Sequence, residues 1–264
     1  MSSGGSYDER AEFAEYYDHV PLYRERADRD FYTEQARASG GPVLELGCGT
    51  GRILLPMVRA GVDVTGLDSS QRMLARCRAK LSREPPEVQQ RVELVQGSMT
   101  DFDLNKAFRL VAIPFRAFQH LLTVEEQLAC LRGVHRHLRA GGRLILDVFY
   151  PNPQMLHDPL FHREAEDTPE QTLPDGRRLR RTTRIAAFHR ARQVNDIEII
   201  YHVTHPDGRR ERLVQAASLR YFFRYELEHL LARASFRVTA LYGDFDRSLL
   251  GDDSPEMIFI TEKK

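Results

Sequence analysis

The 264 residues balance 38 basic against 38 acidic side chains, with 42% apolar and 29% charged residues. Such a chain buries the core of one large domain, or of one domain with a small addition, and no net charge steers it toward nucleic acid or a membrane. Three cysteines (Cys48, Cys77 and Cys130) at no metal-ligand spacing argue against a disulfide framework or a metal site and for an intracellular, cytoplasmic protein. No apolar run reaches membrane-spanning length, and residues 1–6 read as a frayed end rather than a signal peptide.

In chain order, residues 8–20 suit a short helix, Pro21 interrupts, and residues 22–38 suit a second helix stopped at Gly40-Gly41. Residues 43–46 read as a buried strand running into a glycine turn. The next helix carries Ile53, Leu54, Met57 and Val58, and Pro56 requires it to start late or to kink. A second strand spans residues 62–68, followed by a helix with Ser69 or Ser70 as its N-cap. Residues 92–96 and 108–115 are the third and fourth strands. Thr123 and Glu126 form a capping box for a helix closed by Gly141-Gly142, and residues 143–150 are a fifth strand. This alternation over residues 42–150 predicts a parallel α/β sheet covered on both faces.

The pattern then changes. Residues 151–176 read as loop, and residues 178–190, 194–204 and 211–222 as an antiparallel meander with an Asp207-Gly208 hairpin turn. A helix near residues 224–234 and strands near 236–242 and 256–261 end the chain.

Two features carry chemistry. Glu45-Leu46-Gly47-Cys48-Gly49-Thr50-Gly51 links the first strand to the first crossover helix, where glycines allow a sharp turn and close approach of a ligand to free helix N–H groups. Asp68 closes the second strand, which places a carboxylate at the same crevice, within reach of ribose hydroxyls. A nicotinamide dinucleotide usually takes G-x-G-x-x-G, and here Arg52 stands at the last glycine position.

Residues 43–52, V-L-E-L-G-C-G-T-G-R, closely resemble the first motif of class I S-adenosylmethionine-dependent methyltransferases, in particular the small-molecule type. The resemblance extends to residues 62–70, 96–99 and 138–150. It implies a Rossmann-like, seven-stranded, mostly parallel sheet with helices on both faces, plus a small antiparallel β insertion. It implies S-adenosylmethionine as cofactor, with S-adenosylhomocysteine as product, and no metal. The residues it assigns to the cofactor are Glu45, Gly47, Cys48, Gly49, Gly51, Arg52, Asp68, Ser69, Met73, Ser98, Met99 and Pro114. The fourth strand opens Phe108-Arg109 where the family usually has Phe-Asp, a local departure.

The end of that strand, residues 112–120, lacks the Asn/Asp-Pro-Pro-aromatic signature of base and glutamine methylation. Residues 115–122 resemble small-molecule N- and O-methyltransferases, in which a His near this place lies close to the acceptor. His120 is therefore the candidate base or orienting group, against the plainer reading of a surface or capping histidine. Tyr16 and Tyr17 lie in a segment that folds over the cofactor in similar enzymes. Tyr17 is the candidate acceptor contact, and packing accounts for at least one of the two. Phe115 and Arg116 are expected to line the pocket.

Residues 177–192 hold seven arginines and no acid. They are an RNA- or phosphate-binding strip, or a solvated sheet face balanced by Glu164, Glu166, Asp167 and Glu170. Arg180, Arg184 and Arg220 are candidates for an acceptor carboxylate or phosphate. The expected division is an N-terminal helical lid segment (residues 1–40), a cofactor-binding core (41–150), an antiparallel insertion acting as acceptor lid or homodimer interface (151–222), and the last helix and strands of the core (223–264). The resulting reading is methyl transfer to oxygen or nitrogen of a small molecule. An RNA-modifying methyltransferase, a NAD-dependent oxidoreductase and a non-catalytic adenosine-ligand module are the alternatives.

Overall fold

A computed structural model describes residues 6–152 and 158–264. Of the fray expected at residues 1–6, residues 1–5 lie outside the described residues, as does the middle of the loop expected after residue 150, while Ser6 already opens a 3-10 turn, Ser6–Asp8. The N-terminal segment holds α1 (Ala11–Tyr17), α2 (Pro21–Arg24) and α3 (Asp28–Ser39). The single helix expected over residues 22–38 is thus two, and Gly40 in the left-handed region (φ 69°) stops the second.

The core follows as β1 (Val43–Leu46), α4 (Leu54–Arg59), β2 (Val64–Asp68), α5 (Gln71–Leu81), α6 (Pro86–Gln89), β3 (Val92–Gln96), β4 (Phe108–Ile113), α7 (Val124–His137) and β5 (Leu138–Phe149). After the inserted strands β6 (Ala165–Thr172), β7 (Arg178–His189), β8 (Val194–Thr204) and β9 (Arg210–Arg220), α8 (Arg224–Arg233), β10 (Phe236–Tyr242) and β11 (Glu256–Lys263) complete it. The large sheet has the order β10-β11-β5-β4-β1-β2-β3, with β11 antiparallel to both neighbours and β1 to β5 all parallel. The α/β fold class is as expected from the sequence.

Strand alternation decides which face each side chain serves. Leu44, Leu46, Val111, Leu144, Leu146 and Phe259 pack with Leu131 and Val134 of α7 and Leu227 and Leu231 of α8. Val43, Leu110, Ala112, Ile145 and Ile258 face the other way, onto Phe31 and Tyr32 of α3, Leu54 and Met57 of α4, and Leu74 of α5. Each Val, Leu, Ile, Phe or Met among them contributes roughly 1.5–3 kcal/mol of burial.

Pro56 is accommodated because α4 starts late, at Leu54, so the proline lies in its first turn. Ser70, not Ser69, caps α5, its Oγ accepting from the Met73 N–H at 3.2 Å. The capping box at Thr123 and Glu126 is present. Helix α7 ends at His137, before the glycine pair expected to close it. Leu138 already pairs with Phe108, and Lys263 Nζ donates to the carbonyls of His135 (2.7 Å) and Leu138 (2.9 Å). Residues 139–142 then bulge out before Arg143 resumes pairing with Leu110.

The insertion is a second sheet in the order β6-β7-β8-β9. It has four strands rather than three, because residues 165–172, expected as loop, pair with β7. Their Glu and Asp side chains alternate toward the arginines of β7, a pairing that composition alone disguises. This sheet lies on the N-terminal segment: Phe13 and Tyr16 pack among Leu179, Ile199, Tyr201, Val203 and Leu213.

Candidate active site

The glycine turn lies where the parallel strands end. Gly47, Gly49 and Gly51 all have positive φ (75°, 54° and 82°), a region that side chains disfavour. The N–H groups of Gly47 and Cys48 donate to the Leu67 carbonyl at 2.8 and 3.1 Å, which ties the turn to the end of β2. Asp68 draws the two closer. Its carboxylate accepts from Gly49 N (2.7 Å) and Ser70 N (2.8 Å), and burial raises its pKa while those bonds oppose the rise. A Cβ on Gly49 would come 3.3 Å from Met73 Cε, and one on Gly47 would come 2.9 Å from Ala117 Cβ and 3.7 Å from Met99 Cε. The turn, Asp68, Met73 and Met99 therefore border one cradle. Ser69 is half-buried beside Asp68, and Pro114 is buried at the end of β4. Ser98 is exposed, its Oγ held by Thr100 at 2.7 Å.

Behind the cradle, three strand acids share one sheet face at its C-terminal rim: Glu45 of β1, Asp147 of β5 and Glu256 of β11. Arg26 lies 3.3 Å from Asp28, 3.2 Å from Asp147 and 2.8 Å from Glu256. Arg116 joins Glu256 at 2.5 Å. Arg52 grips Asp28 with two bonds of 2.6 Å and stacks on Phe115 at 4.5 Å, while its buried Nε has no partner among the described residues. Glu45 is in none of these pairs. It is fully buried, its Oε2 has no partner among the described residues, and burial raises its pKa well above the ordinary value.

Asp147 also shapes the turn after β4. It accepts from Tyr32 Oη (2.7 Å), Phe115 N (2.9 Å) and Arg116 N (3.2 Å). Phe115 and Arg116 are consecutive non-glycine residues with positive φ (55° and 63°), a conformation that persists only when its surroundings fix it. Phe115 is thereby presented to Tyr17 (6.2 Å) and Tyr23 (4.8 Å), and Arg116 is turned to Glu256.

Tyr17, Met73, Tyr7, Tyr23 and Phe115 form one cluster above the cradle. Tyr16, next to Tyr17, points away and accepts from Arg177 Nη1 at 2.9 Å, so packing accounts for Tyr16. His120 ends a 3-10 turn, residues 117–120, after β4. Buried Gln119 fixes that turn, donating to the Arg220 carbonyl (2.7 Å) and accepting from Phe149 N (3.0 Å). The His120 side chain is exposed and makes no hydrogen bond with the described residues. Neighbouring protein atoms nevertheless lower its pKa by partial desolvation.

The arginine strip is largely paired: Arg177 with Glu15 and Asp175, Arg178 with Glu170, Arg180 with Glu166, Arg181 with Asp167 and Arg184 with Glu198. Arg220 pairs with Glu226. The three arginines expected to meet an acceptor anion are thus each held by a glutamate, and the basic face expected of an RNA binder is neutralised. Two open depressions, one near Gly40–Asp63 and one near Ser39–Arg143, lie at the N-terminal strand ends, opposite the glycine turn. Among the described residues no cluster of His, Cys, Asp or Glu could hold a metal, and no helix is long and apolar enough to cross a membrane.

Sequence reasoning missed Arg26, Asp28, Asp147 and Glu256. An acid inside the apolar run of residues 143–150 was the one signal available for Asp147. Asp8 was missed as well. It caps α5 through Ser70 Oγ (2.6 Å) and Arg72 N (3.1 Å) and so fastens the N-terminal segment beside Asp68.

The profile of a family described as "Methyltransferase domain" matches residues 43–142, the stretch that carries the glycine turn and Asp68. The chain is 29% identical over 226 residues to the cypemycin N-terminal methyltransferase of a Streptomyces species, covering 85% of this chain and 84% of that one. It is 28% identical over 203 residues to the dTDP-3-amino-3,4,6-trideoxy-alpha-D-glucopyranose N,N-dimethyltransferase of Streptomyces venezuelae, covering 76% and 77%. The fold is shared with the CcbJ methyltransferase of Streptomyces caelestis, with a TM-score of 0.73 at 24% identity over 98% of each chain. Residues 43–142 are thus a methyltransferase domain, and the chain is an S-adenosylmethionine-dependent methyltransferase on a Rossmann-like fold.

Proposed function

We propose that the enzyme methylates a nitrogen, or secondarily an oxygen, of a small molecule held between the glycine turn, the N-terminal helices and the inserted sheet. The observation that carries this reading is the convergence of Asp68, the glycine turn and Met73 beneath the Tyr17–Phe115 cluster. Nitrogen is preferred because two relatives, by their names, methylate an N-terminus and an amino sugar.

The residues fit the cofactor. The backbone of Gly47 and Gly49 leaves a surface that a Cβ would crowd, and the unpartnered Glu45 Oε2 can accept from an ammonium group. Asp68, with Ser69 and Met73, would hold the ribose and adenosine, and Ser98, Met99 and Pro114 would border the base. Arg52 acts at one remove, keeping Asp28 and Phe115 in place. When bound, the cofactor supplies a methyl carbon already activated by a positive sulfur.

The protein's part is alignment, exclusion of water and proton removal. Tyr17 and Phe115 orient the acceptor and shield it. His120, its lowered pKa keeping it neutral, takes the proton that the acceptor loses. Residues 1–40 and 151–222 act together as the lid. The sheet is assigned to the acceptor rather than to a dimer interface because its inner face already packs on α1 and the segment before it. A screen of amines, alcohols and acids for release of S-adenosylhomocysteine tests this function. Turnover of an amine supports it. Binding of S-adenosylmethionine without turnover of any member contradicts the assignment as a small-molecule catalyst.

A further inference from the structure

Arg181 lies on β7 with its side chain on the same face as Leu179, directly opposite Tyr201 of β8. An arginine on such a face normally extends its charged end to water. Arg181 instead is 1% exposed. Its Nε and Nη2 bind the two Asp167 oxygens at 2.7 and 3.0 Å, and its guanidinium stacks on Tyr23 at 4.5 Å. Its Nη1 is buried and has no hydrogen-bond partner. The hydroxyls of Tyr7 and Tyr23, in the same cluster, make no hydrogen bond with the described residues either. The neighbouring Tyr201 hydroxyl donates to Gln215 Oε1 at 3.2 Å. A buried guanidinium N–H rarely goes unpaired, and one that does so beside two half-buried, unbonded phenols marks a place where a ligand supplies the partner. Tyr23 touches Tyr17 and Phe115, so this wall continues to the reacting end of the site.

We propose that Arg181, with Tyr7 and Tyr23, is a specificity-determining group that recognises one uncharged oxygen of the acceptor, a hydroxyl or a carbonyl. The proposal rests on the methyltransferase reading given above. The charge argument excludes an anion. Asp167 already neutralises the guanidinium, one donor remains, and a second carboxylate or a phosphate would be buried beside Asp167 with too few donors to compensate its desolvation. The oxygen meets a donor of matched demand, whereas an acceptor lacking it leaves Nη1 unpaired.

The test uses three amines differing in one group: cyclohexylamine, trans-4-aminocyclohexanol and trans-4-aminocyclohexanecarboxylate. Each is titrated into the full-length protein saturated with S-adenosylhomocysteine, and binding is read by calorimetry or by tyrosine emission, which is unobscured because the chain has no Trp. The expected result is at least about fivefold tighter binding of the aminocyclohexanol than of either other amine, the worth of one hydrogen bond. Arg181→Met should abolish that preference. Asp167→Asn, which leaves the guanidinium charge uncompensated, should shift preference toward the carboxylate. Equal binding of all three amines, tighter binding of the carboxylate by the unsubstituted protein, or no binding of any of them would overturn the proposal. Failure to bind S-adenosylhomocysteine at all would instead contradict the methyltransferase reading. Should Arg181→Met not fold, the unsubstituted protein and Asp167→Asn carry the test.

Discussion

At the scale of single residues, the site depends on positions where a side chain does not fit or a polar atom has no partner. Gly51 combines φ 82° with a would-be Cβ only 2.7 Å from Cys77 Sγ. Gly51→Ala should therefore lose about 2–4 kcal/mol from backbone strain and overpacking, read as a drop in Tm of about 5 °C or more. A Tm within a degree of the unsubstituted protein would show that the loop relaxes freely. His120 gives a pH test. Its lowered pKa means that the neutral, proton-accepting form prevails already at pH 7. Activity limited by this base should fall as pH drops through a midpoint below the ordinary histidine value of about 6.5. His120→Ala should remove that acidic limb and slow turnover about 10²-fold or more, with cofactor affinity unchanged. A preserved limb with full activity would take His120 out of the mechanism. Glu45, the glycines and Asp68 were legible in the sequence because they are contiguous or lie at the ends of neighbouring strands. Arg26, Asp147 and Glu256 were not, because their contact joins segments more than a hundred residues apart and depends on strand register that no local pattern reveals.

At the scale of elements, the strand-and-helix order of the core could be read from the chain because each element carries its own signal. Thr123 and Glu126 mark the start of α7, Pro56 marks the late start of α4, and alternating apolar residues mark each face. The misread elements are those decided by distant partners. The end of α7 is set by Lys263 and by the pairing of Leu138 with Phe108, not by the glycine pair that follows. Strand β6 looks like an acidic loop until the arginines of β7 are opposite it. The turn after β4 is the functional counterpart of this lesson, since Asp147 alone supplies acceptors to both of its strained N–H groups and to Tyr32. Asp147→Ala should destabilise the protein by about 3–5 kcal/mol, because it leaves three donors without their partner and takes one of three acids from Arg26, whereas Asp147→Asn, which keeps an acceptor, should lose less. Urea denaturation measures both, and a loss below about 1 kcal/mol for the alanine variant would show that the turn is held by other means.

At the scale of the whole molecule, the N-terminal segment joins the two sheets. Asp8 caps α5, Asp18 bonds Thr50 of the glycine turn (2.6 Å) and Lys80 (2.9 Å), and Gln171 of the inserted sheet donates to the His19 carbonyl (2.5 Å). The N-terminal segment, the glycine turn and the inserted sheet are thus one connected structure. The rest of the account depends on the cradle. Its most direct test is calorimetric titration of S-adenosylhomocysteine, and of NAD for comparison, into the unsubstituted protein and into Asp68→Ala. The account predicts saturable binding of S-adenosylhomocysteine, none of NAD, and affinity for S-adenosylhomocysteine reduced at least about tenfold by the substitution. Equal affinity in the two proteins, or preferential binding of NAD, would contradict it.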